Sequence, residues 1–285
     1  ITFIHDLDVN EIKKGVTAES WMRIHIERDF ISDDLSAVIA GLARVLTDVR
    51  KAVNDWLAMR KKAIEVSGDL RSKPPVGIDQ GDLDESIALL DWLTQDSFTF
   101  VGYREYDLVE VDGRDALHPV HGSGLGVLRT SDQQDLLESV AVLPPASRAR
   151  VREKSLLVLS KANSRSTVHR PAHLDYIGVK KFDADGNVVG EQRFLGIFAA
   201  RAYSDSVSDI PVLRAKCQQV KANLDYVSGS HSAKDLEEFL DTYPRDELFQ
   251  IDSVQLTEVA RSVLHLQERR QTKLYVRYDP YERFV

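Results

Sequence analysis

Between residues 33 and 66 apolar side chains return every third or fourth position for about nine helical turns, and no other stretch restricts the fold as strongly. Leu35, Val38, Ile39, Leu42, Val45, Leu46, Val49, Val53, Trp56, Leu57 and Ile64 share one side of such a helix, while Arg44, Asp48, Lys51, Asp55 and Lys62 take the other. Arg44 with Asp48, and Lys51 with Asp55, stand at i,i+4 spacing and are expected to pair along the surface. At 1.5 Å per residue the rod is roughly 50 Å long, beyond the roughly 19 Å radius of a compact chain this size, so it reads as a connector between modules. A coiled-coil segment is the rival reading. The apolar side is broader than a strict two-position seam, which favours the connector.

Around that helix the chain divides. Met22–Glu27 (MRIHIE) alternates as a half-buried strand, and Ser32 is placed to cap the helix that follows. Ser67–Gly81 gathers glycine, polar residues and two consecutive prolines, and reads as a linker. Asp82 is expected to cap a short helix carrying Leu83, Ile87, Leu90 and Leu93, with Glu85 completing a capping box. A strand over Phe98–Leu108 turns at Asp112-Gly113 into a return strand. Gly126–Arg129 reads as a short strand, Asp132–Val140 as a helix and Ser155–Ser160 as a further strand. Tyr176–Phe182 and Val188–Tyr203 form a hairpin whose second arm is apolar on both faces, as an interior strand must be. Three helices follow, marked by Leu213/Cys217/Val220/Leu224, by Leu236/Phe239/Leu240 and by Leu256/Val259/Ala260/Val263, and Lys273–Arg277 reads as a closing strand. The expected organisation is α+β, with residues 1–66 ending one module, 67–81 a linker and 82–285 a second, fuller module of mixed or antiparallel sheet with packed helices.

Composition then excludes classes of function. With 37 basic and 45 acidic side chains the net charge is -8, which opposes general attraction to nucleic acid or anionic lipid. The single cysteine, Cys217, cannot form an intrachain disulfide, and no apolar run is long enough to span a bilayer, so a reducing, cytoplasmic setting is expected. The start lacks Met and any secretory pattern, and the end follows closely on a strand-like segment. Both read as ends of a piece of a longer polypeptide.

No catalytic, cofactor-binding or metal residue emerges from spacing. Gly122-Ser-Gly124-Leu-Gly126 departs from GxGxxG because residue 127 is Val, and it reads as a turn instead of a phosphate cradle. His169, His173 and Asp175 fail as a metal set because Pro171 denies the two histidines a common helical face, and His118 with His121 has no further ligand nearby in sequence. Cys217 lies on an apolar helical seam and reads as packing. Arg261, Arg269, Arg270, Lys273 and Arg277 read as a solvated face, and Trp21, Trp56 and Trp92 as core or interdomain packing. The tract Tyr243–Ile251 (YPRDELFQI) has no evident role beyond a salt-bridged cap or an interface contact formed by Arg245, Asp246 and Glu247.

Taken in order, SWMRIHIERD, the long helix, FTFVGYREYDL, GSGLGVLR, RFLGIFAARAYSDSVSDIPVLRAK, TYPRDELFQID and LHLQERRQTKLYVRYDPYERFV resemble the region before the catalytic domain of the large bacterial NAD-specific glutamate dehydrogenases. The resemblance implies a parent enzyme that oxidises L-glutamate to 2-oxoglutarate and ammonia with NAD. It also implies modules similar to ACT domains, a ferredoxin-like α+β fold used for effector binding and subunit contact. On this view the chain is a non-catalytic regulatory or oligomerisation region without a cofactor of its own. Its expected partners are the downstream catalytic region of the same polypeptide, further copies in a homo-oligomer and a small-molecule effector, with no nucleic acid and no membrane. An amino-acid-binding effector module is the alternative, and an independent enzyme a third.

Overall fold

Large apolar side chains on β1 (Phe98–Val111) alternate in a way that suits a strand covered on both sides: Phe98, Phe100 and Tyr103 pack into one core cluster and Val101 into another. A bulge between Phe100 and Gly102 shifts the register against the neighbouring strand. The computed structural model describes residue 23 and residues 35–129, 141–142 and 151–264, and falls into two units, 1–44 and 45–285. In the first unit the described side chains Leu35, Val38, Ile39 and Leu42 are exposed. The rest of this section concerns the second unit.

Asp112 and Gly113 both adopt positive φ, 51° and 69°, forming the tight two-residue turn that returns the chain into β2 (Arg114–Pro119). Short β3 (Leu125–Gly126) pairs with β1, and β4 (Ala141–Val142) with β2. β5 (Leu157–Arg165), β6 (His173–Phe182) and β7 (Val188–Phe198) follow as consecutive antiparallel hairpins. The order is β4-β2-β1-β7-β6-β5, with every pairing antiparallel. β7 therefore lies inside the sheet, as its two apolar faces require: Phe194 and Phe198 enter one core, Leu195 and Ile197 the other.

Helices complete the first core. These are α2 (Gln80–Trp92), α3 (Ala200–Ser204), α4 (Leu213–Leu224), α5 (His231–Thr242), α6 (Arg245–Gln250) and α7 (Ser253–Leu264), which bury Leu90, Ala202, Val220, Leu240, Leu248 and Leu256 among others. The long helix α1 (Ser36–Ser72) contributes Met59, Ala63, Val66 and Leu70 to this core, while its Ala52, with Val49 packed alongside, belongs to the second.

Several elements differ from the sequence expectation, each for a tertiary reason. α1 continues through Ser72 because Ser67 and Arg71 both bond Asp91 of α2, leaving only a short connection before Gln80. Asp79, not Asp82, caps α2 by accepting from the Gly81 and Asp82 amides, and Glu85 reaches instead to the Val212 amide and Arg214. β3 stops at Gly126, where residues 127–128 turn, and the arm expected to reach Tyr203 ends at Phe198, giving way to α3. The first of the three closing helices begins at Leu213 itself, with Pro211 ahead of it, and α6 occupies the tract that had no assigned role. The largest difference is α1. Its buried side carries Ala52, Asp55, Met59, Ala63, Val66, Ser67 and Leu70, whereas the apolar stripe that defines the helix in sequence is exposed over most of its length. The strands expected over Met22–Glu27 and Lys273–Arg277, and the helix over Asp132–Val140, lie outside the described residues apart from Arg23.

Candidate functional site

At the end of the sheet where α6 meets β5, β6 and the end of β7, charged side chains converge on a shallow depression lined by Ser160, Asp175, Phe198, Asp246, Phe249 and Gln250. Lys161 of β5 and Asp175 of β6 are cross-strand partners, and Lys161 Nζ donates to Asp175 at 2.5 Å and lies 3.3 Å from Asp246 of α6. The Phe198 amide donates to the other Asp175 oxygen, and the Tyr203 hydroxyl donates to Asp246 while receiving a bond from Arg170. Asp175 is 4% exposed on its side chain, so an unpaired charge there would be costly. Burial raises its carboxyl above the ordinary range against the opposing pull of Lys161. For Lys161 burial works to lower the ammonium, but Asp175 and Asp246 together outweigh it and hold it above its usual value. Burial thus dominates at the acid and pairing at the base, and the pair is at its strongest near neutral pH.

Beneath Asp246, Phe249 stacks flat on Phe198 with ring centroids 4.4 Å apart, and Lys216 Nζ donates to the Leu248 and Phe249 carbonyls. Lys216 therefore satisfies carbonyls at the end of a six-residue helix. Burial drives its ammonium down to about 8. A second cluster lies on the sheet, where the Arg193 guanidinium stacks between Tyr106 and Tyr176 at 4.1 Å and 4.7 Å and pairs with Glu191, which also accepts from the Tyr176 hydroxyl. Burial pushes the Tyr176 hydroxyl, and that of Tyr103 on β1, well above the ordinary phenol range. In both clusters the acids and bases bind one another, and what this arrangement does chemically is clamp elements together.

The residues singled out in sequence are not brought together. His173 sits beside the Ala162 carbonyl, His169 is exposed with φ 69°, and Asp175 is engaged by Lys161. Among the described residues no group of His, Cys, Asp and Glu could hold a metal ion. His118 lies on β2 and His121 in the turn after it. Cys217 is buried in the first core, and burial raises its thiol above the ordinary value. The glycine cluster does not fit a dinucleotide phosphate. A Cβ on Gly124 would meet the Leu128 carbonyl at 2.4 Å and one on Gly126, at φ 61°, the Val101 carbonyl at 2.1 Å, so the missing side chains make room for the protein's own backbone. The Gly126 amide, moreover, is already bonded to Asp55 of α1. Trp92 is buried, Trp56 is 48% exposed, and Arg261 is the one described member of its basic group. Sequence reasoning missed Lys161, Glu191, Arg193 and the buried role of Asp55. The available signal was charge inside otherwise apolar strands, where a charge survives only with a partner.

Among the described residues no helix is long and apolar enough to cross a membrane. Residues 210–269, which include α4 to α7, match the family described as glutamate dehydrogenase, helical motif 1. Over 267 residues, 93% of the chain, it is 38% identical to the NAD-specific glutamate dehydrogenase of Halomonas elongata, and this stretch is 16% of that protein. Identity to the protein of the same name from Pseudomonas aeruginosa is 35% over 95% of the chain and 17% of the relative, and to that from Mycobacterium tuberculosis 29% over 94% and 15%. The chain thus spans about a sixth of the length of the curated relatives it matches. Its matching stretch runs through nearly all the elements described above, and over that length the chain is similar to one segment of the large NAD-specific glutamate dehydrogenases.

Proposed function

We propose that this chain is a non-catalytic scaffold region, with regulatory and assembly roles, of an NAD-dependent glutamate dehydrogenase that oxidises L-glutamate to 2-oxoglutarate and ammonia in the cytoplasm. The observation that carries the reading is the use of charge: Lys161, Asp175 and Asp246 are spent on joining a helix to a sheet, and Arg193 and Glu191 of β7 on joining it to β6 through Tyr176 and to β1 through Tyr106. Catalytic acids and bases must instead face a substrate. In this reading glutamate and NAD bind to the downstream catalytic region of the same polypeptide, and the α+β unit is an ACT-like module. Its antiparallel sheet with helices packed against it supports that assignment. Subunit contact in a homo-oligomer and response to an amino-acid effector are the roles such a module would serve.

The test compares NAD-linked glutamate oxidation by the full-length enzyme, by this chain and by the enzyme lacking it. Turnover is expected only where the downstream part is present, with the shortened enzyme changed in oligomeric state or in its response to amino acids. Turnover by residues 1–285 alone would overturn the reading. Amino acids that raise the melting temperature of the full-length enzyme but not of the shortened one would identify the effector role.

A further inference from the structure

α1 has two separate apolar faces, and the protein uses one of them. At 3.6 residues per turn, Ala52, Met59, Ala63 and Leu70 lie within about 20° of a common line, and all are buried. Leu46, Val53, Leu57 and Ile64 lie within about 20° of a second line, roughly 120° away, and are 41%, 60%, 61% and 50% exposed. A row of four branched aliphatic side chains along one line of a helix is the pattern of a seam between helices. Within about 60° of that line the charged residues are Arg50, Arg60, Lys61 and, beyond Ile64, Arg71, all basic; Arg60 also donates to the Thr94 carbonyl, Lys61 pairs with Glu65, and Arg71 pairs with Asp91.

The charges decide what can lie on this seam. A parallel, in-register copy of α1 would set each of these cations against itself. An antiparallel copy that matches Leu46 with Ile64 and Val53 with Leu57 would place Arg50 opposite Arg60. Both pairings bring like charges together along a row of apolar contacts, and flanking charge is what selects partners in helix pairs. An acidic-flanked helix meets no such penalty. The relatives supply a source, because the matched stretch is only 16% to 17% of their length.

We propose that the Leu46–Ile64 stripe of α1 is the docking surface for an amphipathic helix with an aliphatic stripe and Asp or Glu on its flanks, contributed by the part of the same polypeptide outside these 285 residues. This rests on the placement of the chain within a larger enzyme.

The test uses the full-length enzyme carrying Leu57→Cys, with maleimide labelling at position 57 quantified by mass spectrometry. A benzophenone maleimide at the same position is then photolysed to identify the neighbour. Labelling is expected to be at least roughly tenfold faster when Arg50→Glu and Lys61→Glu are added, because the reversed charges open the seam. The cross-linked peptide is expected to carry an apolar stripe flanked by acidic residues, and reversing those acids to Lys in the charge-reversed enzyme should restore slow labelling. Equal labelling with and without the charge reversal would overturn the proposal, as would a cross-link to α1 of a second copy. Thermal unfolding of the variants, whose substitutions lie on exposed positions, distinguishes undocking from misfolding. Glutamate oxidation is not the readout: turnover by this chain alone would remove the functional reading and leave the labelling result standing, while bare, fast-labelling Leu57→Cys enzyme would remove only the docking partner.

Discussion

Strand β7 and helix α1 carry the two most legible apolar patterns in the molecule, and the fold treats them in opposite ways. β7 is apolar on both faces and both are buried, with Phe194 fully enclosed between Phe100 and Tyr103. α1 presents its most obvious stripe to solvent and buries a side that contains Asp55 and Ser67. A strand inside a sheet is held by neighbours on both edges, and β7 lies where packed side chains cover both faces of the sheet, so each of its apolar sides meets a core. A helix satisfies its own backbone, so any of its faces can go unpartnered without leaving a polar group unpaired. Apolar periodicity therefore locates a face and says nothing about who covers it.

Substitutions can sharpen that contrast, beginning with the largest effects. Phe194→Ala should cost about 3–5 kcal/mol in denaturant unfolding, the range for emptying a large core position. Lys161→Met should cost about 3–5 kcal/mol at pH 7, because it strands the buried Asp175 carboxylate. Burial already raises Asp175, and losing the ammonium raises it further, so the folded state takes up the proton first. The deficit should therefore shrink as pH falls through the raised carboxyl value. Unfolding curves at pH 7 and pH 4.5 check this, and a pH-independent deficit would show that lost packing, not charge, is responsible.

Asp55→Ala should cost about 1.5–3 kcal/mol, the range for a hydrogen bond to a charged group, by freeing the Gly126 amide and Arg129. A neutral outcome would restore the simple picture in which the polar side of α1 faces water. Lys216 tests a smaller effect of opposite sign. Its folded-state value of about 8 lies below the ordinary 10.5, so between these the unfolded chain holds more protons and stability should rise with pH. Cys217, whose thiol is raised above 9.0, works the other way once that pH is passed, which leaves pH 8 to 9 as the window for measurement. Lys216→Met should flatten the slope there. Smallest of all, Leu57→Ala should change the stability of this chain by no more than about 0.5 kcal/mol. A loss of several kcal/mol would mean that the stripe is covered within the chain itself.

The hairpins were readable because their information is local. Asp112-Gly113 and Asp183 to Gly186 specify turns through backbone preference, the aromatic and branched residues along 98–108 mark a strand, and the apolar run on both faces of 188–198 marks an interior one. The Tyr243–Ile251 tract was not readable, since its meaning lies in Lys161, Phe198, Tyr203 and Lys216, which reach it from more than 25 residues away. Asp79 displaced Asp82 as a cap for a subtler reason: both are good capping residues, and where the chain leaves the connection after α1 decides between them.

By itself the sequence determined that the molecule would be α+β, where its strands turn, which strand must be interior, and the kinship carried by its ordered motifs. Tertiary structure alone decided which side of α1 is buried, which carboxylates meet which cations, and what YPRDELFQI is for. The division follows from range. Turn preference and periodicity act over a few residues and are written in the chain at each point, whereas the partner of a buried charge, or the cover of an apolar stripe, exists only once distant segments have been brought side by side.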